Sequence, residues 1–311
     1  MTRLGLGLAA LGRPAYLTAG RADDLGDDRS VDAMRARTAA VLDAAYAGGV
    51  RYVDAARSYG RAEEFLAAWL SSRPDVDDLV VASKWGYTYV GEWRTDRDVH
   101  EVKDHSPAAF RRQWAETQAL LGDAVAIYQI HSVTPDSPAL DDSSLLDELG
   151  QLRERGVRIG LSTSGPAQAD TVRRALGVVV DGAPLFSVVQ STWNLLEPSV
   201  GPALADAAAT GVDVVVKECL ANGRLSEVEG AGPAAAIAER LGLGLDEFAM
   251  AAALAQPWAA RVLTGAVTVD QIARNLRAAA VALPPDVLAR LGELAEAPAE
   301  YWATRSARAW R

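Results

Sequence analysis

Short runs of consecutive apolar residues alternate along this chain with longer stretches in which apolar and polar positions recur at helical spacing. The apolar runs, many of them β-branched, cover residues 4–8, 50–53, 79–82, 125–130, 157–161, 185–189, 212–216 and 261–264. Helical patterns fill the intervals at 33–47, 62–71, 107–121, 144–155, 166–176, 198–210, 234–241 with 245–255, and 269–280. A strand that is apolar throughout is buried on both faces, as in a parallel sheet covered by helices. Eight strand–helix units in series therefore predict a closed (β/α)8 barrel, the TIM-barrel architecture. The punctuation agrees. Ser106-Pro107 and Glu197-Pro198 place proline at or near a first helical turn, and Gly48-Gly49, Gly156 and Gly211 stand where helices should stop. Residues 284–311 predict more helix beyond the eighth unit, and no linker or low-complexity tract divides residues 1–311 into domains.

The competing fold is a doubly wound sheet with a dinucleotide fingerprint. Gly5-Leu-Gly7 follows an apolar start, but the next glycine is Gly12, which breaks the G-x-G-x-x-G spacing. Charge narrows the partners: 31 basic against 41 acidic residues give a formal charge of −10, a poor match to nucleic acid or an anionic membrane. Cys219 is the only cysteine, so neither an intrachain disulfide nor a cysteine metal site is expected. The start, Met1-Thr-Arg-Leu-Gly, lacks the basic-then-apolar layout of a signal peptide, and no apolar run reaches the ~18 residues of a membrane span. A cytoplasmic location is the expectation; oligomeric state is not legible.

In a barrel, chemistry sits where strands end and βα-loops begin. Four polar residues fall there: Asp54 after Val50-Arg-Tyr-Val, Tyr59 in the following loop, Lys84 after Leu79-Val-Val-Ala-Ser, and His131 after Ile127-Tyr-Gln-Ile. Each alone reads equally well as structure: a helix-capping aspartate, a packed tyrosine, a lysine reaching solvent, a hydrogen-bonded histidine. Together they make a proton-transfer site. A tyrosine hydroxyl has a reference pKa of about 10, and a nearby ammonium is expected to lower it by ~1–3. Asp54 would hold Lys84 charged, and His131 would orient a carbonyl oxygen or share the proton. Tyr59 would then protonate an alkoxide as hydride arrives.

This set, with its context Tyr-Val-Asp54-Ala-Ala-Arg-Ser-Tyr59-Gly, resembles the tetrad of the aldo-keto reductases. The similarity continues through Ile159-Gly-Leu-Ser162-Thr163, Val189-Gln190-Ser-Thr-Trp-Asn194, and Thr264-Gly265 to Asn275, in the right order over nearly the whole chain. The resemblance implies a reductase using NADPH or NADH on a small-molecule carbonyl substrate, with no metal. It also implies that Ser162, Thr163 and Gln190 bind the carboxamide, and that Leu220, Asn222 and Arg224 neighbour the pyrophosphate. Gly265, Arg274 and Asn275 would lie near the adenosine end. Thr163 stands where many members carry asparagine. Lys217 occupies the place of an aromatic that often stacks on nicotinamide. Val267, Thr268 and Val269 are neutral where NADPH-binding members usually carry a cation, and Arg274 replaces a common glutamate. Acceptance of both cofactors is therefore expected.

The loop after the third strand is long and aromatic, with Trp85, Tyr87, Tyr89, Trp93, His100 and His105. It reads either as the wall of a pocket for a sugar or aromatic carbonyl or as a lid packed on the rim. Trp85 and Tyr87 are the expected substrate contacts, and Tyr301, Trp302 and Trp310 could close the pocket or pack. Two other functions stay open. One is a Schiff-base lyase or aldolase using Lys84 or Lys217. The other is a non-catalytic nicotinamide-nucleotide-binding regulatory subunit.

Overall fold

The computed structural model describes residues 2–16, 24–226 and 232–308. Eight parallel strands close into one barrel: β1 (Leu4–Gly7), β2 (Tyr52–Asp54), β3 (Val80–Trp85), β4 (Val125–Val133), β5 (Arg158–Thr163), β6 (Val188–Thr192), β7 (Asp213–Lys217) and β8 (Arg261–Thr264). Each pairs with its sequence neighbours, and β8 returns to β1 in the register Leu4↔Val262. The helices between them are α1 (Val31–Ala47), α2 (Ala62–Ser72), α3 (Pro107–Leu121), α4 (Ser143–Glu154), α5 (Gln168–Leu176), α6 (Gly201–Ala209), α7 (Pro233–Arg240), α8 (Leu245–Leu254) and α9 (Val269–Ala278). Side-chain oxygens of Ser30, Ser106, Asp142 and Thr268 cap α1, α3, α4 and α9.

Two layers inside the barrel build the site. Tyr52, Ala82, Ile127, Val188, Val215 and Leu263, one from each of six strands, form an apolar plug. Side chains alternate along a strand, so residues two positions further on share that inward face. Five of those are Asp54, Lys84, Gln129, Gln190 and Lys217, and the sixth is Gly265: a largely polar layer stacked on an apolar one, at the strands' C-terminal ends. Gly160 makes room in it, since a Cβ there would stand 2.9 Å from Gln129 Cγ.

The structure departs from the sequence reading at the edges. β4 runs three residues further than 125–130 and carries His131 within it. Helix α6 starts at Gly201 with Pro202 in its first turn, not at Pro198. The tail is not one helix. Prolines divide it into α10 (Pro285–Ala289), a 3-10 turn at Leu291–Leu294 and α11 (Pro298–Ser306), because proline cannot donate within a helix. Trp310 lies outside the described residues. The long loop after β3 contains an antiparallel hairpin, Tyr87–Tyr89 against Glu101–Lys103. Among the described residues no helix is long and apolar enough to cross a membrane.

Candidate active site

At the C-terminal mouth a cleft of about 310 Å³ opens above the polar layer. Asp54, Tyr59, His131, Gln190 and Lys217 line it, and Lys84 lies beneath Tyr59. Lys84 is fully buried; its Nζ donates to Asp54 Oδ2 and, at 2.9 Å, to the carbonyl of Ala55. Asp54 Oδ1 accepts from Gln190 Nε2 at 2.8 Å. The carboxylate therefore organises the floor, with Gln129 Nε2 at 3.4 Å as a further donor. Lys84 Nζ lies 4.7 Å from the centre of the Tyr59 ring, and the His131 ring meets Tyr59 edge-on at 5.4 Å.

Burial dominates the protonation of these groups. It pushes the Tyr59 hydroxyl well above its usual value, and the Asp54 carboxylate adds to the rise. This corrects the expectation that Lys84 depresses it. Asp54 neutralises the ammonium, and the leading cation acting downward on Tyr59 is instead Arg13. Burial and the charge of Lys84 hold His131 well below the ordinary histidine range, so its imidazole is neutral. Tyr59 therefore keeps its proton, beside a neutral imidazole that can hydrogen-bond a carbonyl oxygen.

Other expected residues divide into two groups. Leu220, Asn222, Gly265, Arg274 and Asn275 line the cleft. Asn275 Nδ2 donates to Thr264 Oγ1, and Arg274 Nε stands 3.5 Å from Asp246 Oδ2. Lys217 Nζ donates to Thr192 Oγ1 at 2.7 Å, and burial lowers it to about 8. Ser162, Thr163 and Arg224 are not among the residues lining the cleft. Ser162 Oγ accepts from the backbone N–H of Ser132 at 2.8 Å. Thr163 Oγ1 bonds Gln168 and Ser191. The guanidinium of Arg224 pairs with Glu296.

Trp85 is a correction as a substrate contact. The pleat that turns Lys84 inward turns Trp85 outward, where its ring packs on Phe110 of α3 at 5.2 Å and on His105 at 5.9 Å. Tyr87 is not among the residues lining the cleft; its ring stands edge-on to His131 at 5.1 Å. Tyr301 and Trp302 are buried in the tail, and Tyr301 OH accepts from Asn194 at 2.9 Å. Arg13, Tyr16, Glu101, Ser132, Glu218 and Arg305 line the cleft without having been singled out in the sequence. Glu218 is held down to about 2, chiefly by the Arg305 guanidinium beside it. Of these, Arg13 carried a usable signal: it lies in the βα-loop that follows β1. A second hollow of about 370 Å³, lined by Trp193, Pro198, Trp258 and Leu291, has no titratable group in its walls.

The geometry tests whether a nicotinamide nucleotide fits. Gln190 Oε1 and Asn222 Oδ1 are buried acceptors with no hydrogen-bond partner among the described residues. Both line the cleft, where amide or hydroxyl donors of such a ligand would satisfy them. At Gly265 a Cβ would meet nothing within 4 Å, so the backbone faces open space. The donor set fits.

A parallel (β/α)8 barrel with a tyrosine, lysine, aspartate and histidine gathered at its C-terminal mouth defines a class of carbonyl-handling oxidoreductase. The aldo/keto reductase family model matches residues 3–296, and the chain belongs to that family. The chain is 25% identical to Protein tas of Escherichia coli over 305 residues, covering 81% of this chain and 87% of that protein. It is 29% identical to the D-threo-aldose 1-dehydrogenase of a Pseudomonas species, covering 72% of this chain and 70% of that protein. Among solved structures, the holo form of aldo-keto reductase AKR11C1 from Bacillus halodurans superposes with a TM-score of 0.69 at 22% identity. That alignment covers 95% of this chain and 92% of the other, and it shows the shared fold.

Proposed function

We propose that this protein reduces an aldehyde or ketone to an alcohol with NADPH or NADH, and that Tyr59 supplies the proton. The observation that carries the reading is the convergence of Tyr59, His131 and the Lys84–Asp54 pair on one cleft. Bound there, the nicotinamide ring supplies the hydride. Gln190 would hold its carboxamide, and Asn222, Gly265 and Asn275 would hold the rest of the nucleotide. Neutral His131 orients the carbonyl oxygen, and Tyr59 gives that oxygen its proton. The phenolate left behind faces the ammonium of Lys84 and the guanidinium of Arg13, 5.1 Å from the ring centre. Alcohol oxidation uses the same groups in reverse.

A hydroxylated carbonyl compound of sugar type suits this cleft. Arg13, Glu101, Glu218 and Arg305 supply charged donors and acceptors around it. The similarity to a protein named for aldose oxidation supports the same class. The Schiff-base alternative is weakened for Lys84, whose ammonium is committed to Asp54 and the Ala55 carbonyl; Lys217, lowered to about 8, is the lysine that the adduct test addresses.

The test is a panel of aldoses, aliphatic aldehydes and aromatic aldehydes, each with NADH and with NADPH, followed by nicotinamide absorbance. Turnover in at least one carbonyl class is the expected result. Cofactor binding without turnover across the panel would favour a binding subunit. A borohydride-stable adduct on Lys84 or Lys217 would favour a lyase.

A further inference from the structure

Arg13 and Glu101 reach the cleft from different loops. Arg13 follows β1; Glu101 sits on the hairpin after β3. Between them lies the loop after β2, which carries Tyr59. Arg13 Nη1 meets Glu101 Oε1 at 2.6 Å, with the arginine side chain 2% and the glutamate 18% exposed. The same nitrogen donates to the carbonyl of Ser58 at 3.0 Å, one residue before Tyr59, and Arg13 Nε donates to Ala9 at 3.1 Å. The guanidinium lies 5.1 Å from the centre of the Tyr59 ring and 4.7 Å from that of Tyr16.

The groups around Tyr59 sort by charge. Asp54 and Lys84, from the ends of β2 and β3, form one closed pair beneath the ring. His131, from β4, is neutral, and Tyr16 is an uncharged phenol raised by burial. Arg13 and Glu101 form the second pair, partly open to the cleft. The floor pair joins two barrel strands, whereas this one joins two loops across the reacting tyrosine.

We propose that the Arg13–Glu101 pair is a positioning device that acts through Tyr59, setting how readily that hydroxyl gives up and takes back its proton. The proposal rests on the reading of Tyr59 as proton donor. Arg13 stabilises the phenolate, and Glu101 tempers Arg13 while tying the hairpin down.

A clasp that merely held the loops would lose activity when either half was removed. A charge device answers with opposite signs. Below the ionisation of Tyr59, alcohol oxidation at a fixed pH scales with the phenolate fraction. Glu101→Gln keeps the shape and removes the counter-charge, so oxidation should rise about tenfold. Arg13→Met should lower it about tenfold, Arg13→Lys should recover most of the loss, and the double variant should return near the parent.

A second readout needs no cofactor or turnover. The Tyr59 ring-carbon resonance in 13C-tyrosine-labelled protein, assigned by its loss in Tyr59→Phe, should begin to shift at lower pH in Glu101→Gln and at higher pH in Arg13→Met. If Arg13→Met fails to fold, the near-isosteric Glu101→Gln decides alone. Losses in both single variants, or an unmoved Tyr59 titration in Glu101→Gln, would overturn the proposal. Normal turnover in Tyr59→Phe would instead overturn the reading of Tyr59 as proton donor, whereas the resonance in the Arg13 and Glu101 variants reports separately whether the pair tunes its ionisation.

Discussion

Lys84 and Trp85 are adjacent in sequence and have opposite fates. The strand pleat sends the lysine into the barrel floor and the tryptophan onto α3. Adjacency to a catalytic position is thus an argument against a side chain entering the same site, and the alternation was legible from the start. The reach of Arg224 to Glu296 was not, because it depends on how the tail returns. Arg274 is the residue whose role bears most on cofactor choice. It lies at the cleft beside Asp246, while Gln271 donates to Asp24 at 2.7 Å, so carboxylates surround the expected adenosine end. A charge-assisted hydrogen bond is worth about 1.5–3 kcal/mol, or roughly tenfold to a hundredfold in affinity. Both cofactors should therefore bind, with a preference below about a hundredfold. Arg274→Ala should weaken NADPH by about tenfold or more and NADH little. Fluorescence titration of both cofactors on parent and variant checks this. Equal losses, or a parent preference for NADPH of about a thousandfold, would contradict it.

Among the elements, the eight strands and their helices follow from local pattern, while the hairpin after β3 does not. Its two short strands are separated by a long excursion and are anchored by non-local contacts. One anchor is His105, next to the cap of α3. Its Nε2 donates to the carbonyl of His131 at 2.8 Å, and its Nδ1 accepts from Ser137 Oγ. That arrangement uses the neutral ring, and burial lowers His105 from 6.5 to about 4. The unfolded chain therefore binds a proton between these values that the folded chain refuses, so stability falls as pH drops through that window. The difference corresponds to roughly 3 kcal/mol at full effect. Urea unfolding from pH 7 to pH 4 should show this slope, reduced in His105→Gln. An identical slope in the variant would assign the acid sensitivity to other groups.

For the whole molecule, barrel closure was readable by counting strand–helix units, and four strand-end residues were readable as one site because barrel strands end at a common mouth. The two-layer interior explains why: five strands place a polar residue two positions beyond an apolar one, and closing the barrel brings those residues together. What sequence could not supply is how distant loops meet there. The pairs Arg13–Glu101 and Arg305–Glu218 span 88 and 87 positions, and the second brings α11 from the tail onto the loop after β7. The chain carries a formal charge of −10, yet Arg13, Lys84, Lys217 and Arg305 gather at its mouth. Nearby carboxylates answer Arg13, Lys84 and Arg305 in ion pairs.

The central claim is that this mouth delivers a proton from Tyr59 to a carbonyl oxygen. Tyr59→Phe tests it most directly, because the ring and its packing against His131 and Arg13 remain while the proton is removed. Cofactor affinity, read by fluorescence, should be unchanged. Turnover on the best carbonyl substrate should fall about 10²–10⁴-fold, the usual scale for losing a general acid. Near-parental turnover in Tyr59→Phe, with cofactor still bound, would contradict the account.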